Sequence, residues 1–388
     1  MAIRKKKNRV SFSLKKLMII PLFFLNCIAA LGLLIAFFAQ YIPPTWFSFG
    51  AFCGLGFIYI LAINAAFVFL WLPIRYPFSL LSISLILMNV ANIDKHYQLK
   101  GADKPEKCMN CIKVMTYNVK LFGLYDTEDN KLRQKKKNEI LNFIKEKQPD
   151  ILCLQEFFFS PSEKLNFNTT HDLLSNLKLN EKNYHFEFFT AKRSEYYFGF
   201  ATFSKNKIVG KGLIEMPDST VIAIYIDFKH KNDTIRVYNC HLASVHFENE
   251  DYEIGKQLII NHINDPKWDK KAKILYNKLK LAFDIRKEQA KILKKHINNC
   301  QHYIIICGDL NDSPASFAYN KIARNLKDSF RESGIGMGRT FTGETFPKFR
   351  IDYILHDNNY KSYGHKVSTN ISVSDHYPLS TWISLYRN

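Results

Sequence analysis

Three long uncharged runs open the chain, at residues 17–39, 47–72 and 77–92. The first, LMIIPLFFLNCIAALGLLIAFFA, has 23 residues, enough to cross a bilayer, which takes roughly 20. It is longer than the apolar core of a signal peptide, and no small-residue cleavage site follows it cleanly, so it reads as retained. The second run is also long enough to span. The third has only 16 residues and needs little tilt or support from neighbours. The cationic start MAIRKKKNRVSFSLKK belongs inside by the Lys/Arg bias, the uncharged loop QYIPPTW outside, and Arg75 inside again. Three spans then put everything after about residue 93 outside. If 77–92 only lies in the interface, the rest is cytoplasmic; three spans are expected. Residues 94–110, polar and charged with a Gly and a Pro, read as a linker.

Beyond residue 110 the pattern changes to short apolar runs alternating with amphipathic stretches. IKVMTYNV (112–119), DILCLQEF (150–157), YYFGFATFSK (196–205), YIIICGDLN (303–311), RIDYILHD (350–357) and LSTWISLY (379–386) predict strands. VIAIYIDF (221–228) and TIRVYNCHL (234–242) predict a strand pair across the polar turn KHKND. Residues 133–148 predict an amphipathic helix. Residues 268–298 predict a long one, with Leu275, Leu279, Ala282, Arg286, Ala290, Leu293 and Ile297 three or four apart and Lys crowding the other faces. Strands mixed with helices and hairpins imply packed sheets flanked by helices. The organisation expected is an N-terminal membrane anchor (1–93), a linker (94–110) and one soluble α/β domain (111–388).

Charge and cysteine usage narrow the possibilities. The net charge is +19. About half of it sits in residues 1–100, which hold ten Lys or Arg and one Asp, and the remainder keeps a net +10. A surface of that sign suits anionic partners, whether nucleic acid, lipid head groups or phosphorylated small molecules, although it also serves ordinary solubility. Among the eight cysteines only Cys108 and Cys111 form a C-x-x-C. No second pair follows at zinc spacing, which argues against a metal site there. A local disulfide is the alternative if the segment faces an oxidising compartment.

Candidate chemistry lies at the strand ends. Asn118, Glu156, His241, Asp309 with Asn311, and Asp375 with His376 all close apolar runs, and Asp352 sits inside one. A carboxylate in an apolar strand is costly unless a cation or a donor meets it. One such residue would be a cap or a core pair; six such places are hard to assign separately to chance. Carboxylates and amide oxygens suit hard cations such as Mg²⁺, Mn²⁺ or Ca²⁺. Phosphate ester cleavage needs a Lewis acid, an activated water and cationic hydrogen bonds, and this set supplies all three.

TYNV, LQE, CHL, GDLN, RIDYIL and SDHYPL, in that order over residues 112–386, resemble the endonuclease/exonuclease/phosphatase superfamily, which includes DNase I-like nucleases, sphingomyelinases and inositol polyphosphate 5-phosphatases. The anchored layout resembles a bacterial branch of it, which implies an inner-membrane location. The resemblance implies a four-layer sandwich of two mixed β-sheets flanked by helices. It implies Glu156 as the main Mg²⁺ (or Mn²⁺) ligand with Asn118 beside it and Asp375 completing the metal environment. Asp309 would orient or deprotonate the attacking water, and Asn311 would hold that water or the phosphate. His376 would contact the phosphate with its ring fixed by Asp352, and His241 would donate to a phosphate oxygen. Tyr117 reads as core, Arg286 and Gln289 as scaffold, and His246 and Asp312 as local hydrogen-bonding groups. Ser204 and Lys205 match a family strand near the site, or else serve sheet packing.

A shared site does not fix a substrate. A nuclease-like phosphodiesterase is the leading expectation, with the aromatic and basic stretch YHFEFFTAKRSEYYF (184–198) suited to stacking bases. A phospholipid or phosphoinositide phosphodiesterase or phosphatase is the alternative, favoured by the anchor and disfavoured by the want of an apolar hairpin for lipid insertion. A non-catalytic phosphate-binding module is a minor third. The bilayer and the phosphodiester are the partners expected; no protein partner is inferred.

Overall fold

A computed structural model describes residues 2–105, 108, 110–163, 165–190, 195–231, 233–245, 266–342 and 349–385. Two compact units emerge, Met1–Asp94 with Ala315–Phe317, and Lys95–Pro314 with Ala318–Asn388.

The first unit is helical. Its elements are α1 (Ala2–Ala39), α2 (Ser48–Leu55), α3 (Phe57–Arg75), α4 (Ser79–Met88) and α5 (Val90–His96), the last of which runs on into the second unit. Two stretches are apolar and long enough to cross a membrane, Ile19–Ala39 and Phe57–Met88. The second of these is not one rod, because a 3₁₀ turn at Tyr76–Phe78 separates α3 from α4. The run 77–92 likewise breaks at Asn89 between α4 and α5. Polarity is turned inward. Trp71 donates from Nε1 to Asn26 Oδ1 at 2.7 Å, Asn26 donates to Ser82 Oγ at 2.9 Å, and Ser82 donates to Asn64 Oδ1 at 3.1 Å. All four residues are buried, while Ile20, Phe24, Phe69, Leu72 and Leu80 face outward.

The second unit holds two six-stranded sheets. One has the order β11-β12-β1-β2-β4-β3, formed by β1 (Cys111–Asn118), β2 (Ile151–Phe159), β3 (Tyr184–Thr190), β4 (Tyr197–Ser204), β11 (Lys361–Val367) and β12 (Leu379–Ser384). The other has the order β5-β6-β7-β8-β10-β9, formed by β5 (Ile208–Glu215), β6 (Val221–His230), β7 (Asp233–His241), β8 (Tyr303–Asp309), β9 (Leu326–Asp328) and β10 (Asp352–Asp357). Helices α6 (Asn130–Lys147) and α7 (Thr169–Leu177) cover the first sheet, and α8 (Pro266–Asn298) and α9 (Phe317–Ala323) the second; α10 (Ser329–Ser333) follows β9.

Strand alternation explains the layers. Val114, Ile151, Cys153, Val237, Ile305, Cys307 and Ile354 form the core between the sheets. Met115, Leu152 and Leu154 turn the other way, toward α6 and α7. Ile304, Ile306 and Leu355 turn toward α8 and α9. Strands covered on both faces need apolar side chains at every position, which is why IIIC reads as an unbroken run.

The segment expected as a linker is tied down along the second unit. Arg350 donates to Lys95 O at 2.9 Å, Gln98 pairs with Gly336, and Gly364 donates from its backbone to Ala102 O at 2.6 Å. Cys108 and Cys111 are joined by a disulfide, so of the two readings the local disulfide holds.

Candidate active site

The inter-sheet rows of side chains end in polar groups at one edge of the sandwich. On β7 the row runs Val237, Asn239, His241; on β8 it runs Ile305, Cys307, Asp309; on β10 it ends at Asp352. Register puts these ends side by side, because Asp309 pairs with His241 on one flank and with Asp352 on the other. The facing sheet supplies Asn118 from β1, paired with Gln155 of β2. Period-two alternation would then send Glu156 toward α6 with Leu152 and Leu154. A bulge prevents this. Register shifts between Leu154 and Phe157, and Glu156 adopts φ +47°. The bulge re-aims Glu156 toward the same edge as Gln155's row, and the left-handed backbone of a non-glycine residue marks a constrained position.

The distances confirm the convergence. Asn118 donates from Nδ2 to Glu156 Oε1 at 3.0 Å and to Asp309 Oδ2 at 3.2 Å. His241 Nε2 lies 3.7 Å from both of those carboxylate oxygens. His376 Nε2 lies 3.6 Å from Asp309 Oδ2, and its Nδ1 lies 2.9 Å from Asp352 Oδ2. Asn311, at φ +52°, donates from its backbone to Asp309 Oδ1 at 2.8 Å and from its amide to Leu242 O at 2.9 Å. Asp375 joins through its neighbour, since Ser374 Oγ donates to Asn118 O at 2.8 Å. All eight expected site residues therefore sit at one edge. Asn311 is committed to the backbone there, and Asp375 is placed through its field on His376 and Lys120.

Electrostatics divide the roles. Burial and the adjacent Asp352 charge push the Asp309 carboxyl up to about 6, against the opposing pull of His376 and His241. Burial disfavours charge on His376, but Asp352 and Asp309 outweigh it and hold the imidazole up to about 10. Lys120 is likewise raised: burial opposes its charge, and Asp375, Asp126 and Glu156 overcome it. The site is thus a buried carboxylate poised near neutrality beside a fixed imidazolium.

The donor set fits a divalent cation. Glu156, Asp309, Asp352 and Asp375 outnumber the cationic groups among them, and two of these carboxylates share a single Asn118 amide. His241 Nε2 and Asp352 Oδ1 are buried without a hydrogen-bond partner. Asp309, Asp352 and His376 also offer ligand atoms within 4.8 Å of one another. There, however, the imidazolium already serves as the cation, and its Nδ1 proton points to Asp352. Glu156, on the other side, is a hard carboxylate donor that carries no imidazolium salt bridge as close as the one at Asp352, although the Asn118 amide donates to it, and it is the better seat.

Several supporting residues carried no role in the sequence reading. Gln155 Nε2 donates to Asn239 Oδ1 at 2.6 Å, and Asn239 donates to Leu154 O and Ala201 O, which stitches the two sheets together under the site. An Asn in the inward row of VYNCHL was the available signal. Phe341 packs edge-on against His376, with ring centres 5.2 Å apart. Gln289 accepts from Ala243 N at 2.8 Å and Arg286 donates to Ala243 O at 3.1 Å, so both brace the loop after His241 as scaffold. Asp312 faces Arg286 at 3.3 Å. Tyr117 is buried in the core. Ser204 and Lys205 are not near the site: Ser204 pairs with Ile151, at the far end of β2, and Lys205 bonds Asp150 and Gln148. Their role is sheet packing. His246 lies outside the described residues.

Comparison with known proteins completes the picture. Residues 115–376 match the Endonuclease/Exonuclease/phosphatase family, and residues 15–96 match a domain of unknown function. No curated protein matches the chain. Similar solved structures include a family protein from Leptotrichia buccalis C-1013-b, 20% identical over 70% of this chain and 98% of that one, TM-score 0.47. Another, from Bacteroides vulgatus, is 18% identical over 70% and 98%, TM-score 0.48. The catalytic domain of human Nocturnin with bound sulfate is 22% identical over 71% and 94%, TM-score 0.47.

Proposed function

The chain belongs to the endonuclease/exonuclease/phosphatase family, and we propose that it is a membrane-anchored, divalent-metal-dependent hydrolase of phosphodiester bonds. The observation that carries this reading is the position of Asp309: buried, raised toward neutrality, and within 3.2–3.7 Å of Asn118, His241 and His376. Glu156, Asn118 and Asp375 would hold the cation. Bound there, it would polarise the phosphoryl oxygens as a Lewis acid.

The remaining chemistry belongs to the protein's own side chains. Asp309 takes a proton from the attacking water as the water oxygen bonds to phosphorus. His376, charged and held by Asp352, and His241 donate to the phosphoryl oxygens as negative charge develops on them. Asn311 orients Asp309 through its backbone N–H. The bond from phosphorus to the leaving alcohol breaks, and the alkoxide is protonated from solvent.

The apolar exterior and buried polar links of the first unit support anchoring in a bilayer. The nucleic-acid reading loses part of its support. In the stretch 184–198, Tyr184, Phe186 and Phe198 pack against the first sheet's core, and Phe186, Phe188 and Tyr197 pack against one another. Those rings are engaged with protein.

The test is a substrate panel on the full chain in lipid nanodiscs with Mg²⁺ or Mn²⁺. It includes single- and double-stranded DNA, RNA, sphingomyelin, phosphoinositides and simple diesters. Hydrolysis of a diester that stops with chelator and with Asp309→Asn is expected. Activity indifferent to both would refute the mechanism.

A further inference from the structure

A groove of about 550 Å³ opens beside His241, whose ring forms part of its wall. The other walls come from three elements. The β5–β6 turn contributes Met216 and Val221, the segment after β7 contributes Leu242, and α8 contributes Leu281 and Ile285. Phe200 closes the floor, its ring edge-on to His241 with centres 6.2 Å apart.

We propose that this groove seats a hydrocarbon substituent of the phosphodiester, so that the substrate is a lipid phosphodiester. The proposal rests on the phosphoesterase reading above. Its volume falls in the range of small-ligand sites, roughly 300–1,000 Å³. Its walls are mostly aliphatic. Leu281 is 61% exposed and Ile285 37% exposed, and large aliphatic side chains gathered at the mouth of a polar site mark a surface meant to be covered.

Nucleic acid is a poorer occupant. Base recognition uses stacked aromatic faces and hydrogen bonds to base edges. Phe200 is the one aromatic carbocycle in the lining and already packs on His241. Gln289, the amide in the lining, is committed to Ala243 N. Asp218, its carboxylate accepting from Thr220 N at 3.0 Å, and Lys278 line the groove with opposite charges. The lining therefore carries no basic excess to draw a polyanion past the scissile phosphate, whereas a hydrocarbon chain needs none.

The experiment uses the full chain in nanodiscs with Mg²⁺ and p-nitrophenyl phosphodiesters whose second ester is methyl, butyl or octyl. The leaving group is constant, so only the retained chain varies. In the wild-type protein kcat/KM should rise about twofold or more per added methylene. Leu281→Glu, at an exposed position, should flatten that rise, and the octyl-to-methyl ratio is the readout. Equilibrium binding of methyl and octyl phosphonate monoesters is measured in parallel on both proteins. A flat series with the methyl ester cleaved would overturn the groove and leave the catalytic reading standing. Oligonucleotide cleavage that outpaces the octyl ester and ignores Leu281→Glu would also overturn it. If no diester is cleaved, binding decides. An octyl preference lost in Leu281→Glu supports the groove and sinks the hydrolase, and equal binding sinks the groove.

Discussion

Asp352 Oδ2 lies 2.9 Å from Nδ1 of His376, and both side chains are buried. The pair fixes the ring so that Nε2 faces Asp309, and the Asp352 charge is the largest single influence keeping the imidazole charged, with Asp309 and Asp375 adding to it. Asp352→Asn retains the shape and removes the charge. We expect kcat to fall by about 10²–10⁴-fold, the range for a disabled proton-handling group, with KM changed far less. Steady-state kinetics beside a circular dichroism check on folding would measure this. Wild-type turnover in Asp352→Asn would separate His376 from catalysis.

Glu156 reaches the site only because of the bulge at φ +47°. As the main candidate cation ligand it should control metal demand. Glu156→Gln is expected to raise the Mg²⁺ concentration for half-maximal activity by about tenfold or more, since a charged hard oxygen is lost from the seat. Magnesium titration of diester hydrolysis after chelator treatment reads this out. An unshifted midpoint would move the cation elsewhere.

Gly308 precedes Asp309 at φ +134°, and a Cβ there would stand 2.0 Å from Cys240 O on the neighbouring strand. That contact is with backbone and cannot be relieved by a rotamer. Gly308→Ala should therefore destabilise the sandwich by about 3 kcal/mol or more and displace Asp309 in what still folds. Denaturant unfolding compared with Gly336→Ala, where nothing lies within 4 Å of the added methyl, separates crowding from left-handed strain.

The site was legible from the sequence because alternation makes acids conspicuous. Asp309 after IIIC and Asp352 within RIDYIL stand in rows otherwise reserved for the inter-sheet core. The bulge was not legible: in LQEF two polar residues adjoin, and nothing in the residue types says which strand geometry turns both to one edge. Edge strands were missed for a related reason. β5 (IVGKGLIE) and β11 (KSYGHKV) mix Gly, Lys and polar residues because they pair on one side only and are half wet. The groove was hidden by helical periodicity. Leu281 and Ile285 fall outside the row of Leu275, Leu279, Ala282 and Arg286, and so read as part of a solvated face.

Two groups away from the site contribute to the response to acid. Burial pushes His365 down from 6.5 to about 4, with Arg350 adding to the effect and Asp328 opposing it. Burial raises the Glu332 carboxyl, but His356 and Ser362 outweigh it and bring it down from 4.5 to about 2. In the unfolded chain His365 takes a proton below 6.5, whereas in the fold it does not until about 4. Its contribution is full above 6.5 and disappears as pH falls through that window. Glu332 follows between 4.5 and 2. Asp309, held up to about 6, takes its proton earlier in the fold than in the unfolded chain and so opposes the first loss. In an Asp309→Asn background the melting temperature of the full chain in detergent should decline in two stages on acidification. His365→Asn should flatten the first stage and Glu332→Gln the second. Unchanged slopes in both variants would assign the acid response to other groups.

Orientation can be argued from two independent features. The cationic start, the uncharged loop before α2 and Arg75 at the end of α3 alternate inside, outside, inside. A third crossing by α4 and α5 would bring the chain out again. Helix α4 alone has ten residues, a rise of about 15 Å, so the crossing needs both helices through the Asn89 junction. The Cys108–Cys111 disulfide belongs to an oxidising compartment and does not depend on counting spans. Both features predict that the second unit lies on the face away from the cytoplasm. A reporter fused after Asn388 should be active only in its exported form, and in intact cells Cys108 and Cys111 should resist an impermeant thiol reagent until a reductant is added. A cytoplasmic C-terminus with freely labelled thiols would reduce the anchor to two crossings and turn the enzyme toward substrates on the inner leaflet.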